Sequence, residues 1–287
     1  MRKEIWLGTA LLAASAVAYS SGGFYTRLIE ADASTMLFWR GVFGGLFLFG
    51  IVAWREHGRI AQAVRDIGRD GMLIAVCSAV ATVCFLNALR LSSVADVLVI
   101  DATIPFMTAG IAWLVIGERE DRITLLATLA ALAGVVVMTG SAIVGGRLLG
   151  NLLAFAMAVL MATVLVMIRR NPKVSMLPAV GLSAFLCALI VLPWARPLSV
   201  SSGELLQLAL FGTSQFGLGL LLLAIGTPLV SATRGALIGT LQTPLGALWV
   251  WLAFSETPTL ATLAGGAIVL AAVICDVAVP RHKERIT

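Results

Sequence analysis

The sequence predicts an all-α membrane protein in which ten transmembrane helices form two inverted repeats of five. Hydrophobic residues make up 60% of the chain and charged residues only 12%, against about 25% charged residues in a typical soluble domain. The apolar residues are grouped in stretches of about 20, the length that a helix needs to cross a bilayer. Sequence features of the first half of the chain also return in the second half.

Ten such apolar stretches follow one another along the chain. We predict spans at residues 5–27, 34–54, 71–91, 94–116, 123–141, 148–168, 175–194, 205–225, 230–254 and 259–279. The last span has a start signal, because Thr257 is a good N-cap and Pro258 suits the first helical position. The longest connection, residues 55–70, is too short for a soluble output domain.

The two halves of the chain repeat each other at a shift of about half its length. The recurring features are Pro105 as Pro244, Glu118 as Glu256, and the segment from Gly8 to Arg27 as that from Gly150 to Arg169. We therefore predict repeats at residues 1–143 and 144–287, each with five spans. Because five is odd, the second repeat enters the membrane from the opposite side. The two glutamates lie at opposite faces beside the next helix, where a carboxylate suits the helix dipole, and we interpret them as structural.

The basic residues between the spans predict the orientation in the membrane. Fourteen lie on one face: Arg2, Lys3, Arg55, Arg59, Arg65, Arg69, Arg119, Arg122, Arg169, Arg170, Lys173, Arg281, Lys283 and Arg285. Four lie on the other face: Arg27, Arg90, Arg147 and Arg196. The richer face is expected to be cytoplasmic, which places both termini in the cytoplasm. The remaining two, Arg40 and Arg234, fall within spans.

Several local motifs resemble one known family. They are Trp39-Arg40 in span 2, the segment from Ala88 to Ala95 before span 4, Pro105 followed by Gly117-Glu118, and the counterparts Pro244 and Ser255-Glu256. Together with the repeats, they resemble the ten-helix EamA-type members of the drug/metabolite transporter superfamily. The resemblance implies a central cavity between the halves, lined mainly by spans 1, 3, 4, 6, 8 and 9, with spans 5 and 10 peripheral. Relatives export amino acids and other small metabolites.

Charged residues inside the spans are the first candidates for a substrate pathway. A carboxylate or guanidinium in the hydrocarbon costs about 2.5 to 3.5 kcal/mol, so Arg40, Asp96 and Asp101 need protein or water around them. Arg40 and Asp101 lie at similar predicted depths, roughly 9 and 10 Å from the same face, and could pair. Such a pair could bind an amphoteric substrate or exchange a proton. It could equally be a structural ion pair between spans 2 and 4.

The amide side chains form a second group of candidates. Gln215 and Gln242 lie close to the predicted bilayer midplane, where inverted-repeat transporters hold their substrates. Each could contact substrate, or could form an interhelical hydrogen bond worth about 0.6 kcal/mol. Asn87 is kept as a candidate for the pathway, although Asn87 and Asn151 lie nearer the span ends, where a structural role is favoured.

The two central prolines are candidate hinges. Pro105 and Pro244 each remove a backbone hydrogen bond and should free the carbonyl one turn earlier, at Asp101 and Thr240. A bend is therefore expected in spans 4 and 9, either as a hinge or as a static kink. Thr108 shares a helix face with Asp101, and we expect that face to look into the cavity.

These observations favour a secondary transporter of the bacterial inner membrane that exports small metabolites, most favourably amino acids, by alternating access. The alternatives are a channel-like or sensor membrane protein, or an exporter of another metabolite or drug. An enzyme is disfavoured, because the two histidines, His57 and His282, lie outside the spans and no catalytic group assembles. No metal, cofactor or nucleic acid is implied, and active transport would have to use an ion or substrate gradient. The expected partners are the small-molecule substrate and the lipid bilayer, with no signal for oligomeric state.

Overall fold

The computed structural model describes residues 2–92, 94–139, 148–172, 174–255 and 257–278. Within these ranges the chain is helical or forms short connections, with no β-strand. Ten helical segments are apolar and long enough to cross a membrane. The predicted all-α class and the number of spans are therefore confirmed.

Six spans are formed by one principal helix each. They are span 2 (Ala33–Arg55), span 3 (Gly68–Leu91), span 5 (Arg122–Thr139), span 6 (Leu148–Arg170), span 7 (Leu177–Val191, extended by a 3-10 turn at Leu192–Trp194) and span 10 (Leu260–Ala278). These helices follow from unbroken apolar sequence. In span 2 the Asp32 carboxylate caps the first turn by accepting from the N–H groups of Ser34 and Thr35, each at 3.0 Å.

The other four spans are interrupted. Span 1 comprises Arg2–Ser20 and Gly22–Leu28, span 4 comprises Val94–Asp101 and Ile104–Ile116, and span 9 comprises Ala232–Gly239 and Gln242–Phe254. Span 8 runs from Ser202–Leu210 through a π-helix at Phe211–Gly217 to Leu218–Gly226, with a 3-10 turn at Thr227–Leu229. Interrupted helices in membrane proteins occur where the irregular backbone is surrounded by protein or lines a cavity.

One connection contains a helix of its own, and one local prediction was wrong. The connection between spans 2 and 3 contains a short helix, Ile60–Asp66. Span 10 begins at Leu260, and its cap is formed by Thr259, whose hydroxyl oxygen accepts from the N–H of Thr262 at 3.1 Å. The predicted cap at Thr257 lies two residues too early, because the residue that caps is the one whose hydroxyl can reach the N–H groups of the first turn.

The connections between spans alternate between two faces of the molecule. We name the Glu118 face after the connection between spans 4 and 5, and it also carries residues 56–67 and 230–231. The Asp32 face carries residues 29–32, 92 and 195–201. Some residues that the sequence places on these faces lie outside the described residues: Arg147, Lys173, Glu256 and residues 279–287.

The repeats exchange their first helices. Span 1 packs against span 8, whereas span 6 packs against span 3. A Cβ atom on Gly8 would lie 2.6 Å from Cβ of Leu229, and one on Gly150 would lie 2.6 Å from the carbonyl carbon of Leu91. Gly8 and Gly150 are equivalent in the two repeats, as are Leu91 and Leu229, so each repeat makes the same contact with the other.

Equivalent spans also pair with each other across the molecule. Span 2 packs on span 7, and span 5 packs on span 10. A Cβ atom on Gly134 would lie 2.7 Å from the carbonyl oxygen of Gly265, so the backbones of spans 5 and 10 touch directly. Such contacts between small residues are a common basis for helix association in membranes. Together with the exchanged first helices, they establish the inverted-repeat architecture.

Candidate functional site

Spans 4 and 9 break at equivalent places. The breaks lie at residues 102–103 and 240–241, and each is bridged by tight turns, with the N–H of Thr103 donating to the carbonyl of Ile100 at 3.0 Å. Pro105 and Pro244 fall in the first turn of the helix that follows each break. Proline is tolerated there, because its missing N–H would have no helical partner anyway. The prediction that Pro244 frees the carbonyl of Thr240 was wrong, because this carbonyl accepts a hydrogen bond from the N–H of Thr243 at 3.2 Å.

Asp101 and Gln242 meet at these breaks. Asp101 is the last residue of the first helix of span 4, and Gln242 is the first residue of the second helix of span 9. The Gln242 amide nitrogen donates to Asp101 Oδ2 at 3.5 Å, a long and therefore weak hydrogen bond. This is the one hydrogen bond that the Asp101 carboxylate makes with the described residues. A half-buried carboxylate between two broken helices, one from each repeat, is thus held by a single adjustable contact.

The predicted pairing of Arg40 with Asp101 was wrong. The Arg40 guanidinium carbon lies 4.3 Å from the ring centre of Phe216 and 5.6 Å from that of Phe211, both on span 8. Similar depth did not suffice, because Arg40 points towards span 8 and not towards span 4. A desolvated cation on an aromatic ring gains about 2 kcal/mol, which is less than the cost of placing the charge in the membrane. The Nε atom is buried and has no hydrogen-bond partner among the described residues.

Gln215 belongs to the π-helix of span 8 that also carries Phe211 and Phe216, the two rings that Arg40 contacts. Turns of this kind occur frequently at functional sites. Its amide nitrogen donates to the backbone carbonyl of Tyr19 on span 1 at 3.2 Å. Its side-chain oxygen is buried and has no partner in the described part of the chain. The two predicted glutamines therefore serve two different locations.

The side chains of Asn87 and Thr108 form hydrogen bonds within their own helices, and not with Asp101, Gln242, Arg40 or Gln215. The Asn87 amide donates to the carbonyl of Val83 in its own helix at 2.8 Å. The Thr108 hydroxyl donates to the carbonyl of Ile104 at 2.8 Å, and the residue is fully buried. The Thr108 face of span 4 is therefore packed in this structure and not open, contrary to the expectation that it would look into a cavity. Asn151 accepts a hydrogen bond from Ser92, at the junction of spans 3 and 6.

A cluster around Glu118 joins three spans at the Glu118 face. Glu118 Oε1 lies 3.3 Å from the Arg169 guanidinium, with side-chain exposures of 20% and 8%. Glu118 Oε2 accepts from the N–H of Ala232 at 3.4 Å, and Arg169 also donates to the carbonyl of Pro228. Glu118 thus meets the start of a helix in the other repeat, in span 9, and not only the next helix along the chain. Its counterpart Glu256 lies outside the described residues.

The two faces of the molecule are packed differently. On the Glu118 side of the breaks, helix Ile104–Ile116 of span 4 packs against helix Ala232–Gly239 of span 9. On the Asp32 side, helix Val94–Asp101 packs on spans 3, 5 and 6, while helix Gln242–Phe254 packs on spans 1 and 10. Residues 232–238 are all buried, whereas no residue of helix Gln242–Phe254 is. The contact between spans 4 and 9 is therefore closed towards the Glu118 face and parted towards the Asp32 face.

Sequence reasoning missed one buried ion pair. Arg234 Nε of span 9 lies 3.1 Å from Asp276 Oδ2 of span 10, with side-chain exposures of 4% and 0%. The hydroxyl of Thr124 on span 5 donates to Asp276 Oδ1 at 2.9 Å. Arg234 and Asp276 lie at the same depth from the Glu118 face, so matching the depths of lone opposite charges would have found this pair. It fixes the peripheral spans 5 and 10 to the closed half of span 9.

Comparisons with known proteins agree with this architecture. No curated protein matches the sequence. A chain in a solved crystal structure is 19% identical and superposes with a TM-score of 0.82, over 93% of this chain and 96% of its own length, which establishes a shared fold. The model of the EamA-like transporter family matches residues 6–140 and again residues 148–276, in agreement with the resemblance seen in the sequence motifs. With both halves matched, the chain is a multi-pass membrane protein that belongs to the EamA-like transporter family.

Proposed function

We propose that this protein exports small metabolites, most favourably amino acids, across the bacterial inner membrane by alternating access. The observation that carries the proposal is the contact between Asp101 and Gln242, where the broken helices of the two repeats meet. Discontinuous helices near the midplane are where inverted-repeat transporters bind substrate. Here a carboxylate and an amide face each other across the interface between repeats, and both can bind the ammonium or amide groups of a small polar substrate.

The asymmetric packing supports alternating access. The basic residues favour a cytoplasmic Glu118 face and cytoplasmic termini, so the closed half of the interface is the cytoplasmic one. In this reading the structure represents an outward-facing state, with Asp101 and Gln242 at the inner end of the parted half. The repeats, residues 1–143 and 144–287, exchange conformations to reach the opposite state. Pro105 and Pro244 mark the hinges, because the backbone turns next to them have the fewest helical hydrogen bonds to lose.

The assay is uptake into vesicles reconstituted with the purified protein, with and without a pH gradient, across a panel of amino acids, amines and organic acids. We expect saturable uptake of neutral amino acids. Asp101→Asn retains the side-chain shape and removes the charge, and we expect transport to fall at least tenfold, since a charged hydrogen bond contributes about 1.5–3 kcal/mol. Asp66→Asn, in the exposed short helix Ile60–Asp66, is the matched control and should transport normally.

Two results would contradict the proposal. Full transport by folded Asp101→Asn, with unchanged pH dependence, would exclude Asp101 from substrate or proton handling. Flux that does not saturate and is not stimulated by substrate on the opposite side of the membrane would indicate a channel.

A further inference from the structure

The surroundings of Arg40 form a second, distinct location in the membrane region. Arg40 extends from span 2 towards Phe211 and Phe216 of span 8. The backbone next to it, at Gly41, lies directly against Ala184 and Ala188 of span 7. The guanidinium is therefore placed where spans 2, 7 and 8 meet. It lies within the protein and not at the lipid surface.

The positive charge of Arg40 has no counter-ion among the residues that the structure describes. No described carboxylate pairs with it, and no described group accepts a hydrogen bond from it. Its Nε atom is fully buried, whereas the residue as a whole is only half-buried, so the terminal nitrogens keep some accessible surface. A charge within a membrane span is normally paired or solvated, and one that is held only by rings marks a place for an anion.

The π-helix that carries these two rings also carries a hydrogen-bond acceptor without a partner in the described part of the chain, the side-chain oxygen of Gln215. In a π-helix the hydrogen bonds join residues five positions apart, so Phe211 and Phe216 lie one turn apart on the face that meets Arg40. Gln215 directly precedes Phe216, and only 5% of its surface is exposed. Its side-chain oxygen has no hydrogen-bond partner among the described residues. Because its nitrogen is committed to the Tyr19 carbonyl, the free atom is the oxygen, which accepts hydrogen bonds.

We propose that Arg40 and Gln215 form a second subsite on the pathway, separate from the Asp101–Gln242 contact, for the carboxylate end of an α-amino acid; while the amino acid occupies it, the carboxylate lies on the Arg40 guanidinium and the neighbouring ammonium donates to Gln215 Oε1. Phe211 and Phe216 exclude water from the pair and hold the guanidinium plane. This inference rests on the proposed function and specifies its substrate class. It also assigns the π-helix a role, since that turn places the two rings and the amide around one cation.

The test uses thermal unfolding of the purified full-length protein in lipid nanodiscs. Four probes share one side chain: leucine, 4-methylpentanoate, leucinamide and 3-methylbutylamine. We expect leucine and 4-methylpentanoate to raise the Tm more than the two probes without a carboxylate, which can still bind through their amine at Asp101. In Arg40→Gln the apparent Kd for leucine should weaken at least about tenfold, because a charge-assisted hydrogen bond is lost. Arg90→Gln, whose guanidinium contacts Ser34 at the Asp32 face, should bind like the wild type.

The stability of the ligand-free variant separates a binding role from a structural one. If Arg40 serves to bind an anion, Arg40→Gln removes a charge that is unbalanced in the empty site. The Tm of the ligand-free variant should then equal or exceed that of the ligand-free wild type. The site is refuted if Arg40→Gln binds leucine within about twofold of the wild type. It is also refuted if the wild type does not prefer the carboxylate probes. Transport that requires Asp101 but is equally fast for substrates with and without a carboxylate would overturn this site alone. Binding of carboxylate probes without any transport would overturn the proposed function alone.

Discussion

The ion pair between Glu118 and Arg169 should control how often the Glu118 side of the interface between spans 4 and 9 opens. It joins span 4 of one repeat to span 6 of the other across 3.3 Å. At this distance two charges attract by about 5 kcal/mol at an effective dielectric constant of 20. Desolvation offsets part of that energy, and a charged hydrogen bond retains about 1.5–3 kcal/mol. Since 1.4 kcal/mol is a factor of ten, Glu118→Gln should raise the open population about 10- to 150-fold.

The opening can be measured with a cysteine at position 232. Ala232 is fully buried in the closed half of the interface, so a thiol there reacts only when the interface opens. In a background without the four native cysteines, Ala232→Cys is labelled with an impermeant thiol reagent added to the Glu118 face. We expect the labelling rate to rise about tenfold or more in Glu118→Gln and in Arg169→Gln. Glu56→Gln, an exposed carboxylate on the same face, is the control.

Arg169→Gln also loses the bond to the Pro228 carbonyl, so its effect should be at least as large as that of Glu118→Gln. The double variant should open less than the two single effects added together, because both remove the same ion pair. Unchanged labelling in both single variants, with the proteins folded, would show that the packing of apolar residues closes this side and that the ion pair contributes nothing to it.

Two further predictions concern stability. Removing one partner of the buried pair, as Asp276→Asn or Arg234→Gln, should cost about 3–5 kcal/mol in the free energy of unfolding, whereas replacing both by leucine should recover most of it; chemical unfolding in detergent measures this, and additive effects would contradict the pairing. At the cap of span 2, burial raises the pKa of Asp32. Hydrogen bonds from the Thr35 side chain and from the N–H groups of Thr35 and Ser34 lower it, as does the nearby charge of Arg196. Together these outweigh burial and hold the pKa of Asp32 below its usual value. The charge of Asp32 therefore stabilises the fold above about pH 4, and this contribution is lost as the pH falls through the lowered pKa. Asp32→Asn should cap at neutral pH and abolish this acid sensitivity, while Asp32→Ala should cost about 1 kcal/mol at pH 7.

Hydropathy located the spans because each must bury about 20 apolar residues, and the prolines located the breaks in spans 4 and 9. The π-helix at Phe211–Gly217 had no such signal, since its sequence contains no proline and its small residues, Gly, Thr and Ser, are also common in regular membrane helices. The cap at Thr259 was missed because Thr257 and Thr259 carry the same capping side chain, and only the geometry of the first turn distinguishes them.

The charged residues show what depth alone can establish. Counting residues from a span end gives the depth of a side chain but not the direction in which it points. Arg40 and Asp101 have similar depths, yet point to different helices, and their predicted pairing failed. Arg234 and Asp276 also have similar depths and do pair, because spans 9 and 10 are neighbours. The arrangement of helices around the interface was the information missing from the sequence.

The contacts of Gly8 and Gly150 have a consequence for biosynthesis. Gly150 packs against residues 91–92, which have already been made when span 6 enters the membrane. Gly8 packs against residues 229–230, which are made roughly 220 residues later, or about 10 to 45 s at a translation rate of about 5–20 residues per second. During that interval span 1 has a glycine face without its partner and depends on lipid or on an insertion chaperone for cover. The two equivalent packing contacts are therefore completed at different stages of synthesis, that of Gly150 near the middle of the chain and that of Gly8 only when residues 229–230 have been made.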